Sequence, residues 1–219
     1  MKNKLVCVFA HPDDEAFGPG GTITQFAKDY DVYILCATRR EAGGKNSDHD
    51  IAKIRSNELL QSSRILGVKK VFFLDFTDGQ LCNNIYHDLA KKITGFVNEI
   101  KPEILLTFEP RGVSGHIDHI TVSMVTTYVF EHLSFVKQLF YFCLSEEQVG
   151  EEKRLGDYFI HFPPGYKKAK IDKTIDVTNV WETKVEAMKT HQSQTHDVNL
   201  ILTYLEKLPK EEYFLVLKK

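Results

Sequence analysis

The sequence predicts an α/β fold in which a mostly parallel sheet is flanked by helices, and three observations carry that reading. Short runs rich in Val, Ile and Phe alternate with stretches whose apolar residues recur every three or four positions. That is the rhythm of strand–helix–strand units joined by right-handed crossovers. With 219 residues, 42% hydrophobic and 26% charged, the chain is long enough to bury a sizeable core. No linker, repeat or low-complexity tract interrupts it, so residues 1–219 read as a single domain.

The first strand runs from Leu5 to Ala10. Lys2 and Lys4 ahead of it imitate a secretory leader, but the apolar run is too short for one and no small-residue cleavage site follows. Gly18-Pro19-Gly20-Gly21-Thr22 reads as a tight turn and not as a phosphate cradle, lacking both G-x-G-x-x-G spacing and a Gly-Lys-Ser/Thr ending. A helix over Thr22 to Lys28 leads to a strand over Val32 to Ala37. The next helix spans Asp50 to Leu66, opened by an acidic cap at Asp50 and closed by Gly67, where a left-handed residue is preferred. Strand Val68 to Leu74, helix Tyr86 to Ile100 and strand Ile104 to Phe108 follow. A helix starting near His116 or Ile117 runs to about His132, and the aromatic run Phe140-Tyr141-Phe142 reads as a core strand. From Ser145 to Gly165 charges alternate in sign (Glu146, Glu147, Glu151, Glu152, Lys153, Arg154), which predicts a solvated loop or lid ending in the turn Pro163-Pro164-Gly165. A short strand over Ile171 to Val177, a helix from about Asn179 to His191 and a terminal strand over Tyr213 to Leu217 complete the chain.

A formal net charge of -2 offers no basic footprint for nucleic acid or a membrane surface, and no window approaches the roughly 20 apolar residues of a membrane span. Small molecules are therefore the expected partners, and self-association into a homo-oligomer stays open. Cys7, Cys36, Cys82 and Cys143 are widely spaced without a C-x-x-C pair, and three of them lie in apolar runs. They read as reduced residues, which suits a cytoplasmic protein.

Chemistry concentrates in two segments. His11-Pro12-Asp13-Asp14-Glu15 packs a histidine and three carboxylates at the end of the first strand, where a parallel sheet delivers side chains into a ligand crevice. Carboxylates so crowded stay ionised only if a cation joins them or each faces water. Gly115-His116-Ile117-Asp118-His119, after the Ile104 to Phe108 run, supplies two more histidines and another acid. A capped turn would explain the first segment alone, and ordinary helix histidines the second. Together they point to two strand ends meeting over one divalent ion.

These segments resemble the LmbE-like or PIG-L superfamily of zinc-dependent deacetylases, whose signatures AHPDDE and HxDH are complete here as Ala10 to Glu15 and His116 to His119. Weaker likenesses are Thr38-Arg39-Arg40-Glu41-Ala42-Gly43 (with Arg40 where a glycine is usual), Arg55-Ser56-Asn57-Glu58, Asp78-Gly79 and His191-Gln192-Ser193-Gln194. The resemblance covers nearly the whole chain and implies a Rossmann-like three-layer fold and removal of the N-acetyl group from an N-acetylglucosamine-type sugar or glycoconjugate. It implies His11, Asp14 and His119 as metal ligands, a set that suits zinc with a position open for water and also describes iron(II) sites. Asp13 would be the general base toward water at the ion, and His116, as an imidazolium held by Asp118, would stabilise the oxyanion and act as acid. The Asp118 to His116 pairing requires His116 at or before the helix cap. Arg55 and Asp78 would bind sugar hydroxyls, and Arg111 an anionic part of the substrate. Glu41 would support the pocket loop, with His191 and Gln194 on the pocket wall. An exposed ion pair Arg55 to Glu58 is the plainer reading of those two residues. Alternatives of other classes are a metal-dependent phosphoesterase and a non-catalytic carbohydrate-binding protein that retains the metal site.

Overall fold

The computed structural model describes residues 2–39, 48–152 and 161–219. Seven strands, β1 (Asn3–Phe9), β2 (Tyr30–Thr38), β3 (Lys70–Phe76), β4 (Ile104–Phe108), β5 (Gln138–Cys143), β6 (Lys173–Asp176) and β7 (Glu211–Lys218), form one sheet in the order β3-β2-β1-β4-β5-β7-β6. The first five are parallel, while β7 runs antiparallel to β5 and β6 antiparallel to β7. The Rossmann-like three-layer α/β fold is thus present.

The helices are α1 (Asp14–Phe17), α2 (Gly20–Asp29), α3 (Asp48–Ile65), α4 (Tyr86–Ile100), α5 (Gly112–Gly115), α6 (Ile117–His132), α7 (Glu146–Glu152), α8 (Trp181–Lys189) and α9 (Thr195–Leu205). Helices α2, α3 and α8 pack together as one layer, and α4 packs with α6 in the other. Strand β4 is buried along its whole length and β1 from Leu5 onward, as continuous apolar runs sandwiched between helix layers should be. The order in which strands are added reverses between β1 and β4, so their carboxyl ends open the crevice where parallel sheets bind ligands.

Gly67 closes α3 with φ 79°, as the sequence predicts, while the helix starts at Asp48, two residues before the predicted cap. Three further departures have local causes. Helix α2 starts at Gly20, because the Glu212 carboxylate reaches over from β7 to accept the N–H groups of Gly21 and Thr22 at 2.9 and 2.7 Å. That carboxylate occupies the helix N-terminus and leaves no phosphate cradle. The predicted 145–165 loop contains α7, started by a reciprocal cap: Gln148 N–H donates to Ser145 Oγ at 3.3 Å and Ser145 N–H to Gln148 Oε1 at 3.0 Å. Helix α9 follows where the sequence predicts none, after a short 3-10 turn over Gln192–Gln194. Among the described residues no helix is long and apolar enough to cross a membrane. All four cysteines are free thiols, with Cys7, Cys36 and Cys143 buried and Cys82 exposed. Burial pushes the Cys143 thiol up to about 12, so it stays neutral.

Candidate metal centre

The end of β1 folds back on itself around one carboxylate. Asp14 Oδ2 accepts the backbone N–H groups of Ala10 and His11 at 3.0 and 2.7 Å, which turns its other oxygen, Oδ1, toward His119 Nε2 at 3.4 Å. His119 is anchored in the same manner, with Nδ1 on the Gly112 carbonyl at 3.1 Å and its ring stacked at 4.1 Å on Phe108. A carbonyl can only accept, so Nδ1 carries the proton and Nε2 presents a lone pair. His11 presents Nε2 to Asp78 Oδ1 at 3.0 Å and to Asp118 Oδ2 at 3.2 Å, leaving Nδ1 to face His119 Nε2 at 3.2 Å. Each of the three residues spends one polar atom on the protein and turns the other to a common point.

This donor set fits a metal ion. Ligand atoms of the three residues lie within 4.8 Å of one another. Atoms bound at about 2.0–2.2 Å around a tetrahedral ion stand roughly 3.3–3.6 Å apart, close to two of the separations seen here, 3.2 and 3.4 Å, while His11 Nδ1 stands 4.0 Å from Asp14 Oδ2. Two lone-pair nitrogens facing each other favour a shared cation, and carboxylate–histidine pairs such as Asp78–His11 orient ligands in metal sites. Burial works to raise the Asp14 carboxyl, but the charges and hydrogen bonds of His119 and His11 hold it well below the usual carboxylate range. A second grouping, His11, His116 and Asp118, shares His11.

The β4–α6 connection that delivers His119 is tightly constrained. Gly112 has φ 72° and a Cβ there would lie 2.9 Å from the His119 Cβ; Val113 is left-handed at φ 63°, ψ -60°. Gly115, φ 77°, lies so close to the His161 carbonyl that a Cβ would come within 2.3 Å of the oxygen. Glu109, buried at the end of β4, gathers the loop by accepting from the N–H groups of Arg111 and Val113, from Arg111 Nε and from the Tyr166 hydroxyl. Sequence reasoning missed Glu109, although an acid closing a mostly apolar strand before Pro110 was a legible signal.

The expected roles around the ligands are redistributed. His116 sits at the N-cap of α6, as its proposed part requires, but the Asp118 carboxylate does not hold it. That carboxylate accepts from His11 Nε2 and from the N–H groups of Gly79 and Leu81 at 2.8 and 3.2 Å. Asp118 reaches His116 through its backbone, donating N–H to Nδ1 at 3.1 Å, which leaves the ring proton on Nε2. Burial, helped by His11 and His119 nearby, pushes His116 down to about 4, so it is neutral and not the expected imidazolium. Asp78, expected at the sugar, is buried against His11. Arg111, expected at an anionic substrate group, bonds Glu109 and donates from Nη1 to the Pro164 carbonyl at 2.8 Å, with its guanidinium 4.1 Å over the Tyr166 ring.

Asp13 is buried, with φ 126° and ψ -27°, beside the ligands but outside their cluster. Glu15 points away from the crevice, to Ser62 and to His191 Nε2 at 2.8 Å. His191 is therefore enclosed behind the site and not on a pocket wall. The expected Arg55 to Glu58 surface pair is instead two buried contacts to the same late segment. Glu58 accepts the Ser193 N–H and hydroxyl at 2.8 and 2.6 Å, and Arg55 meets Gln194. The Gln194 amide oxygen and nitrogen can be assigned in two ways, one donating to Asp13 Oδ2 at a long 3.4 Å, the other accepting from Arg55 Nη1 and Nη2 at 2.6 Å and donating to Asp197 at 3.1 Å. The first sets an amide N–H against a guanidinium, so the second is the physical one. Arg40 and Glu41 lie outside the described residues.

Residues 6–130 match the model of the PIG-L family, described as GlcNAc-PI de-N-acetylase. The diacetylchitobiose deacetylase of Thermococcus kodakarensis is 32% identical over 200 residues, 87% of this chain and 70% of its own. The 1D-myo-inositol 2-acetamido-2-deoxy-alpha-D-glucopyranoside deacetylase of Mycobacteroides abscessus is 28% identical over 87% of this chain and 81% of its own. Among solved structures, N,N'-diacetylchitobiose deacetylase from Pyrococcus horikoshii aligns with TM-score 0.72 and 24% identity over 99% of this chain and 84% of that one. The 4-carboxy-2-hydroxymuconate hydratase GalB from Pseudomonas putida aligns with TM-score 0.74 and 17% identity over 100% and 97%. Likeness at these identities shows the fold, which evidently hosts more than one chemistry.

Proposed function

The chain belongs to the PIG-L family, and on that footing we propose that it is a metal-dependent hydrolase removing the N-acetyl group from an N-acetylglucosamine-type sugar or glycoconjugate. The observation that carries the reading is the convergence of His11 Nδ1, Asp14 Oδ1 and His119 Nε2, each residue anchored by its other polar atom. These three residues would hold the ion, with zinc the best match to the donor set and iron(II) the competitor. When bound, such an ion polarises the acyl oxygen and lowers the pKa of water toward about 7.

Asp13, next to a ligand in sequence, takes the proton of the attacking water and returns it to the amine nitrogen as the C–N bond breaks. His116 donates its Nε2–H to the oxygen on which charge develops; as a neutral ring it acts by hydrogen bonding, and Asp118 fixes its tautomer through the backbone. Asp78 and the Asp118 carboxylate keep the His11 proton on Nε2. Arg55, Gln194 and Arg111 shape the sugar side of the pocket chiefly by holding the 161–166 and 191–194 segments in place. The products are acetate and the free amine. A two-ion phosphoesterase is disfavoured because three further carboxylates around the centre, Glu15, Asp78 and Asp118, are engaged by protein donors.

The test is acetate release from N-acetylglucosamine, N,N'-diacetylchitobiose and glycoside conjugates by protein stripped of metal and reloaded with zinc or iron(II). Metal-restored release supports the reading; stoichiometric metal binding with no release from any acetylated sugar counts against it.

A further inference from the structure

Asp13 adopts φ 126°, ψ -27°, a backbone state that an L-residue other than glycine occupies at a cost of about 1–3 kcal/mol unless its surroundings enforce it. Its enforcing contacts are on the side away from the crevice. The Asp13 N–H donates to Glu15 Oε2 at 3.1 Å, and its carbonyl accepts from Ala16 and Phe17 at 3.1 and 2.9 Å. Glu15 is 0% exposed and can touch no substrate. Its other oxygen, Oε1, accepts from the Ser62 hydroxyl on α3 and from His191 Nε2 at 2.8 Å. His191 is itself buried, edge-on to the Phe17 ring, with Nδ1 lacking a partner among the described residues, so the polar engagement of its ring is with Glu15.

We infer that Glu15 and His191 form a buried positioning pair that locks the left-handed Asp13 turn, so that the Asp13 and Asp14 carboxylates divide between proton transfer and metal binding. The inference rests on Asp13 acting as the base. The Asp14 carboxylate is aimed by the Ala10 and His11 N–H groups, whereas the Asp13 backbone is held by Glu15, the side chain that bonds both this turn and α3. Burial opposes charge on His191, yet Glu15, with Asp13 and Glu58 behind it, raises its pKa, which strengthens the hydrogen bond on which Glu15 is hung. The glutamate thus transmits the rigidity of α3 and of the 191–194 turn to the base without entering the reaction.

The test is a double-mutant cycle between Glu15→Gln and Asp13→Ala on the zinc-loaded protein, read as kcat, KM and metal per chain. In the otherwise native protein, Glu15→Gln is expected to lower kcat about 10- to 100-fold with KM within about two-fold and one ion retained. In the Asp13→Ala background the same change is expected to alter the residual rate by less than about two-fold, because the positioned group is gone. Equal losses in both backgrounds would overturn the inference and make Glu15 a general structural residue, as would an unchanged kcat. Should Glu15→Gln not fold, His191→Gln enters the same cycle: a kcat loss confined to the Asp13 background supports the pair, and equal losses or none overturn it. An Asp13→Ala protein with full turnover would instead overturn the assignment of the base, a separate result.

Discussion

At the scale of single residues, each of the three proposed ligands is fixed by a hydrogen bond to the protein. Gly112 shows how narrow the tolerance is: its carbonyl orients His119, its φ is left-handed, and a Cβ would press on the His119 Cβ. Gly112→Ala is therefore expected to destabilise the protein by about 1–3 kcal/mol and to weaken metal binding by at least about ten-fold, measurable by urea unfolding and metal titration. His116 supplies a different test. As a neutral donor it should matter to turnover and not to the ion, so His116→Ala is expected to keep one metal per chain while kcat falls about 10²- to 10³-fold. Loss of metal in that variant would move His116 into the ligand set. The two short signatures were legible because the residues they contribute are contiguous and chemically extreme. Where each carboxylate points was not: Glu15, Asp78 and Asp118 choose partners from α3, the turn after α8, the turn after β1 and the loop after β3, which no local pattern reveals.

At the scale of elements, a buried ion pair ties the antiparallel edge and α8 to the turn between α1 and α2. Lys184 on α8 meets Glu212 on β7 at 2.7 Å and the Gly18 carbonyl at 2.6 Å, both side chains nearly solvent-free. Lys184→Met would strand the Glu212 carboxylate, and a loss of about 3–5 kcal/mol in urea unfolding is expected; a change below about 1 kcal/mol would show that the α2 N–H groups satisfy Glu212 alone. His191 gives the α1–α8 region a pH signature. Its folded pKa is raised, so its stabilisation is fully present below the unfolded value of about 6.5 and is lost as pH rises through the folded pKa. The stability difference between the native protein and His191→Gln should accordingly shrink as pH climbs above about 6.5, and a difference growing over that range would contradict the assignment. The principal βα elements were readable from periodicity. Helix α7 carried a readable Ser145 to Gln148 capping box, obscured by its alternating charges, whereas α5 depends on left-handed residues that no apolar rhythm announces.

At the scale of the whole molecule, the strand order places the reversal between β1 and β4, and both signatures sit at the carboxyl ends of those two strands. Alternation of strands and helices predicted the parallel sheet, but not the antiparallel β7 and β6 that extend it, because pairing direction is settled by the path of the chain and not by strand composition. In the proposed function the ion joins two distant segments, so metal removal should lower the melting temperature and reloading restore it, with free metal at about 100 times Kd contributing about 2.7 kcal/mol. Everything proposed for the site turns on the division of labour between adjacent aspartates. The decisive measurement is metal content and acetate-release rate in the native, Asp13→Ala and Asp14→Ala proteins side by side. Asp13→Ala is predicted to keep its ion and lose turnover by about 10²- to 10⁴-fold, and Asp14→Ala to lose both. Equal metal loss in the two variants, or undiminished turnover in Asp13→Ala, would contradict that division.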